Sequence, residues 1–340
     1  MIVTFGEMLL RLSPPAHLRL AQASSFDAYY GGAEANTAVC LSCLGEAARH
    51  VTRLPANAIG RACAGELARY GVDTSCVSFD YGENSRLGLY FCENGASQRA
   101  SQVLYDRQNS AFTRLKRGDF DWESIFDNAD WFHFTGITPA LSKEMEEIVL
   151  DACKEAKRRK ISISFDINYR AGLWSRERAK ETLNRFLPYV TLLLANNGSL
   201  FDVFGIDAGN GAADSSPEAA LAAAKEASKR FAIPEIALTM RRSHSASYNG
   251  WSAMLYSRES KQAIYSPNYN IEIVDRVGGG DAFAAGLIFA KRRGFDAQHA
   301  VSFAAAVSCL KHTIPGDMAP VRSEEAEDLL ADNGAGLIRR

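Results

Sequence analysis

An α/β fold on a mostly parallel sheet is what the sequence predicts, and three observations carry that prediction. From about residue 130 onward strand-like and helix-like segments alternate, the pattern of strands joined by crossover helices. No linker divides the 340 residues, and 47% of them are hydrophobic, enough for one large core. One stretch breaks the rhythm: RLGLYFCENGASQRASQVLYDR, residues 86–107, alternates with period two on both sides of Asn94-Gly95, the pair favoured in tight hairpin turns. It reads as an antiparallel element added to a parallel fold, either a lid or an ordinary edge hairpin with one wet face.

The elements follow in order. WFHFT (131–135) is a strand; Ser142 then caps a helix whose apolar face is Met145, Ile148, Val149, Ala152, Cys153 and Ala156. ISISFDI (161–167) is the next strand, followed by the charged helix SRERAKETLNRF and the buried strand VTLLLA (190–195). A polar loop, DAGNGAADSS, leads to Ser216-Pro217, with Ser as N-cap and Pro at the first helical position. EIALTM (235–240) is a further strand, IEIVDRVGGGDAFAAG (271–286) supplies a late strand and its helix, and the last helices run from about 296 to 311 and from Ser323. On the hairpin, Tyr105 and Arg107 share a face, while Tyr90 points opposite to Leu89 and Phe91.

Composition excludes several classes of partner. A formal net charge of −2 gives no support to a nucleic-acid or anionic-membrane partner, so the expected partner is a small molecule. MIVTFGEMLLRLSPP lacks the basic start and small-residue cleavage pattern of a signal peptide, and no apolar run reaches membrane-spanning length. Seven scattered cysteines read as reduced thiols, so a cytoplasmic location is expected. Cys40 and Cys43 form a CxxC inside the apolar run AVCLSCLG, with no second pair or His at zinc spacing, and read as helix packing.

The chemistry concentrates at VDRVGGGDAFAAG. A strand, three glycines and a helix starting at Asp281 put bare backbone N–H groups at a helix N-terminus, where the helix dipole adds positive charge. Gly278, Gly279 and Gly280 would let phosphate oxygens approach the main chain without meeting a β-carbon. For an isolated GGGD, a tight turn capped by Asp281 is an equal alternative. A Walker-type loop is absent, and a dinucleotide fingerprint fails because Phe283 stands where a small residue is needed.

Taken with YYGGAEANTA (29–38), the segment VDRVGGGDAFAAG resembles the signature motifs of ribokinase-type (PfkB) carbohydrate kinases. Arg276 in place of the usual Thr, with YDRQNSA, WFHFTGIT, FDINYRAGLW, TMRRSHSASYNGW and KHTIPGD, is most similar to the 2-keto-3-deoxygluconate kinase branch. The resemblance implies a ribokinase-like three-layer α/β/α sandwich. It implies one kinase domain over 1–330, with a small antiparallel β lid inserted from about 8–30 and 85–113, and a C-terminal tail at 331–340. It implies ATP-dependent phosphorylation of the terminal primary hydroxyl of 2-keto-3-deoxygluconate, with Mg2+ needed for the nucleotide's phosphates. In such a kinase Asp281 takes the proton from the attacking hydroxyl and the turn at 278–280 holds the transferring phosphoryl group.

A sugar acid differs from a neutral sugar by its carboxylate, so its site must offer a cation or a forked donor. Asp166, Asn168 and Arg170 leave the carboxyl end of a predicted parallel strand at period two, where open α/β sheets place ligands. By similarity, Tyr90, Tyr105, Arg107 and Arg170 hold the acid, Gly31, Gly32 and Asn36 contact hydroxyls, and the Ile137 backbone touches the sugar. Asn196 joins Gly278 and Gly280 on the nucleotide side. The family's Asn-x-x-Glu departs here to Asn196-Asn197-Gly198-Ser199, so no protein metal ligand is expected. The same fold acting on fructose or a stereoisomeric keto-deoxy acid, and a sugar-binding regulator that has lost turnover, are the competing readings. A homodimer or larger assembly through the lid is expected from the family and from the apolar alternation at Leu87, Leu89 and Phe91.

Overall fold

Ile2, Val3, Thr4 and Phe5 are all fully buried, as a strand covered on both faces requires. In the computed structural model, which describes residues 1–207 and 215–332, this strand lies inside a ten-stranded sheet. With strands numbered in chain order, β1 (Ile2–Phe5) pairs in parallel with β4 (Ala48–Pro55), and β4 with β5 (Val77–Asp80). On its other side come β8 (Trp131–Thr135), β9 (Ser162–Asp166), β10 (Leu192–Ala195) and β11 (Glu235–Ser243), again all parallel. The far edge is antiparallel: β12 (Tyr248–Ser257) pairs with β11 and carries both β13 (Ala263–Tyr265) and β14 (Tyr269–Glu272). Strand order runs outward in both directions from β1, which makes the β1–β8 junction the topological switch point.

Helices cover both faces. One core packs α5 (Lys143–Arg158), α6 (Arg176–Asn184), α7 (Asn197–Phe204) and α8 (Pro217–Phe231) on the sheet through Met145, Leu183, Leu200 and Ala224. Two short turns, α3 (Trp122–Ile125) and α4 (Ile137–Ala140), add Trp122 and Ala140 to it. The opposite core packs α1 (Ala33–Cys43), α2 (Ala58–Arg69), α9 (Gly279–Arg292), α10 (Ala297–Lys311) and α11 (Ser323–Asp332) through Val39, Leu67, Phe283, Phe303 and Ala326. Ser142 and Ser216 cap α5 and α8 as expected, accepting the N–H groups of Met145 and Ala219 at 3.2 Å. Cys40 is buried within α1, and Cys43 ends that helix.

A second sheet has four strands in the order β3 (Asp27–Gly31), β2 (Leu9–Ser13), β6 (Gly88–Glu93), β7 (Gln102–Asp106). Its outer pairs are antiparallel, and β2 runs parallel to β6.

Two local expectations change. The tight Asn94-Gly95 turn is not formed: pairing stops at Glu93↔Gln102, and the connection holds a separate bridge between Ala96 and Arg99. Arg99 draws it outward by reaching Glu93 at 2.7 Å and the His17 carbonyl at 2.6 Å, so tertiary contacts override the local turn preference. The late strand ends at Glu272 and does not run on through VDRV (274–277), because the N–H groups of Val274 and Asp275 turn to the His312 carbonyl at 2.9 and 3.1 Å. The helix after it starts at Gly279, two residues before Asp281. Residues 208–214 of the DAGNGAADSS loop and residues 333–340 of the expected tail lie outside the described residues, while 331–332 belong to α11.

Candidate active site

The carboxyl ends of the parallel strands open onto a cleft of about 1150 Å³, roofed by the second sheet. Every residue singled out from sequence lines it: Gly31, Gly32, Asn36, Tyr90, Tyr105, Arg107, Ile137, Arg170, Asn196, Gly278, Gly279, Gly280 and Asp281. Strand ends explain the convergence, since Glu7 follows β1, Ile137 follows β8, Asp166 ends β9 and Asn196 follows β10.

The three glycines at the start of α9 do different jobs. Gly278 is the N-cap with φ 83°, and a β-carbon there would overlap the Asp317 carbonyl. Gly279 packs on the His312 ring. Gly280 has nothing within 4 Å of its would-be β-carbon and faces the open cleft. Ala282 N–H already bonds the Gly278 carbonyl at 2.9 Å, but the N–H groups of Gly280 and Asp281 have no acceptor among the described residues. Two orphan donors at the positive end of a 14-residue helix have the chemistry to receive an anion.

Asp281 sits on that same first turn with 9% of its surface exposed. Its Oδ2 accepts from Asn36 Nδ2 at 2.8 Å, and its backbone carbonyl accepts from the Thr37 hydroxyl at 3.3 Å. Burial is the main force on its pKa, pushing it up to about 7; the Asn36 bond opposes this, and Asp166 and Glu34 add to it. A carboxylate poised near neutrality in a cleft is equipped to accept a proton. Asn36 also accepts the Gly32 N–H at 3.3 Å, so its geometry is that of a clamp on Asp281 as much as of a hydroxyl ligand.

Under the second sheet, Arg107 lies 5.4 Å over the Tyr105 ring, and Tyr105 packs on Tyr90 at 5.6 Å. The Arg107 fork is engaged by Glu7, which also accepts from Ser110. Tyr90 is buried and donates to Asp317. The Ile137 N–H is taken by the Thr135 hydroxyl at 3.1 Å. Arg170 is exposed and has no carboxylate within ion-pair distance among the described residues. Asp166, with its pKa lifted to about 6 by burial, faces the same space.

Residues 1–324 match the pfkB family carbohydrate kinase. The chain belongs to that family. Among its relatives, 2-dehydro-3-deoxygalactonokinase of Haloferax volcanii is 31% identical over 99% of both chains. The 2-dehydro-3-deoxygluconokinase of Bacillus subtilis is 28% identical over 97% of this chain and 95% of its own. The crystal structure of 2-dehydro-3-deoxygluconokinase from Thermotoga maritima superposes with a TM-score of 0.92 at 48% identity, covering 97% of this chain and 98% of that one. This PfkB chain is therefore a sugar kinase.

Within this PfkB cleft, three features escaped the sequence. Arg241 and Arg276 line it beside the glycine turn, and neither has a carboxylate partner among the described residues. Desolvation first, and then repulsion from Arg276, push the Arg241 pKa down, as expected of two cations waiting for an anion. The MRRS and VDRV runs that hold them lie more than thirty residues apart, and periodicity alone does not bring them together. Glu7 meets Arg107 across a hundred positions of sequence, a contact no local pattern records. Ser199, standing where the family often has Glu, closes a capping box with Asn196: Ser199 N–H to Asn196 Oδ1 at 2.9 Å, Asn196 N–H to Ser199 Oγ at 3.1 Å. Among the described residues no group of three or more His, Cys, Asp or Glu forms a metal cage, and no helix is long and apolar enough to cross a membrane.

Proposed function

We propose that this kinase transfers the γ-phosphoryl group of ATP to the terminal primary hydroxyl of 2-keto-3-deoxygluconate, giving 2-keto-3-deoxy-6-phosphogluconate and ADP. The observation that carries the reading is the buried Asp281 carboxylate on the same helical turn as two unpartnered N–H groups. The sugar hydroxyl oxygen forms a bond to the γ-phosphorus, the bond from that phosphorus to the bridging oxygen of ADP breaks, and the hydroxyl proton passes to Asp281. The Gly280 and Asp281 N–H groups receive the migrating charge, and Arg241 and Arg276 hold the other phosphates. Magnesium enters as Mg-ATP, since the nucleotide and water supply most of its ligands in such sites.

Selection of an acid falls to Arg170, whose guanidinium has no carboxylate partner among the described residues and touches the Tyr169 carbonyl at 3.4 Å, with Tyr105 and Arg107 lining the same cleft. Gly31, Gly32 and the Ile137 backbone line the path of the hydroxyls. The names of the relatives point to the same substrate class, and the Haloferax volcanii name favours a second reading, the galactonate stereoisomer. A single kinase domain over 1–330, with the second sheet from 8–30 and 85–113 as its lid, a cytoplasmic location and pairing of two copies through the lid complete the reading. ADP release measured with Mg-ATP and a panel of both keto-deoxy acids, fructose and ribose tests it. Turnover with 2-keto-3-deoxygluconate at least tenfold above the others supports the assignment; preference for a neutral sugar, or no ADP release with any, removes it.

A further inference from the structure

Arg11, in the middle of β2, has no exposed surface, a costly placement for a cation unless each donor is matched. Nε donates to Ser13 Oγ at 2.7 Å. Nη1 reaches Asp275 Oδ2 at 2.8 Å and Asp317 Oδ1 at 3.0 Å, and Nη2 reaches Asn94 Oδ1 at 3.3 Å. Lys311, also fully buried, directs its ammonium to the Ile314 carbonyl at 3.0 Å and the Asp275 carbonyl at 3.5 Å. Two cations and two acids thus form a charge-balanced interior cluster.

Both acids frame the anion site. Asp275 Oδ1 accepts the Val277 N–H at 3.1 Å and Oδ2 accepts the Gly316 N–H at 3.0 Å, so one carboxylate ties the segment before the glycines to the loop beneath them. The Asp317 carbonyl presses against Gly278, and its carboxylate takes the Tyr90 hydroxyl and packs on Gly31. Arg11 is therefore the point at which the small sheet grips the residues that shape the turn at 278–280.

We propose that Arg11 is a positioning residue that couples the seating of the small sheet to the shape of the phosphate-binding turn, so that sugar and nucleotide each strengthen the other's binding. The inference rests on the ligand assignments proposed above. It needs no movement of Asp281, only a turn whose frame is shared with the sheet over the sugar. Coupling of this kind is reciprocal: the factor by which sugar tightens nucleotide equals the factor by which nucleotide tightens sugar.

Calorimetry of Mg-ADP binding, with and without saturating 2-keto-3-deoxygluconate, tests this on the wild type, Arg11→Lys and Arg11→Met. The wild type should bind ADP about 5- to 10-fold more tightly with sugar present, within the usual range of coupling. Arg11→Lys keeps a charge but loses the fork, and should bring that factor close to one while a melting curve shows it folded. A folded variant with the wild-type factor, or a wild type with no factor, overturns the proposal. If the wild type does not bind the sugar acid, the substrate reading fails, and Arg11 is judged on ADP alone: about 5-fold weaker binding in Arg11→Lys supports the role, unchanged binding ends it. Should both variants unfold, amide exchange on the wild type decides, since sugar alone must slow exchange at 277–281 if the coupling exists.

Discussion

The burial that brings Asp281 near neutrality suits the proposed role of base, and the same burial works against the fold. With its pKa lifted to about 7, the protonated form is favoured in the native state from the ordinary carboxylate range up to that value. The native protein then binds more protons than the unfolded chain across this window, so stability falls as pH rises from about 4 to about 7. Asp281→Asn should therefore melt higher than wild type at pH 8 and about equally at pH 4, by roughly 2–4 °C per kcal/mol relieved. In the same variant kcat should drop about 10²- to 10⁴-fold, the usual contribution of a general base. For the wild type, kcat/KM should rise through a midpoint near pH 7, because the protonated carboxyl cannot take the hydroxyl proton; a flat profile from pH 5 to 8 would remove Asp281 from that role. The two arginines on the sugar side separate in the same manner. Arg170→Ala, which strands no buried counter-charge and gives up only an exposed contact to the Tyr169 carbonyl, should raise KM for the sugar acid about 10- to 100-fold, the loss of one charge-assisted contact, and leave the melting temperature in place. Arg107→Ala leaves Glu7, only 4% exposed, without its counter-charge, so it should show first as lost stability of about 3–5 kcal/mol in a denaturant titration.

At the level of single elements, the first turn of α9 divides its glycines between folding and ligand approach. Gly278→Ala puts a methyl on the Asp317 carbonyl and forces a left-handed φ of 83° on an L-residue, so lost melting temperature should dominate. Gly280→Ala meets open space and gains helix propensity of up to ~1 kcal/mol, so the fold should hold. Its methyl would stand where an anion approaches the bare N–H groups, and KM for Mg-ATP should rise while KM for sugar stays. Steady-state kinetics beside melting curves for the pair check this division; equal kinetic effects would mean that the open face of Gly280 is not where phosphate docks. The placement of the glycines at a helix N-terminus was readable from sequence because helix starts and bare backbone are local features. Their separate tasks were not, since the Asp317 and His312 contacts come from a loop more than thirty residues away.

Across the whole molecule, the parallel sheet was legible because strands covered on both faces leave continuous apolar runs such as VTLLLA, and capping serines mark the helices between them. The Arg11 cluster and the Glu7–Arg107 pair were not, because each joins residues about a hundred or more positions apart and no local pattern records such a contact. The Asn94-Gly95 turn failed for a related reason, a local preference outweighed by Arg99. One large-scale feature has no partner among the described residues: β7 is the edge of the small sheet, and Val103, Leu104 and Tyr105 are 46%, 60% and 47% exposed along it. An apolar edge of unpaired backbone groups invites pairing with another strand, and a second copy offers the same edge in the two-fold arrangement commonest among oligomers. The chain is thus expected to have the mass of a dimer or a larger assembly in light scattering. Leu104→Lys, which puts a charge on that edge away from Arg107 and Tyr90, should shift it to the monomer mass without lowering the melting temperature of the α/β body. A wild-type monomer at tens of micromolar, or a Leu104→Lys protein that stays assembled, would place the contact elsewhere or nowhere.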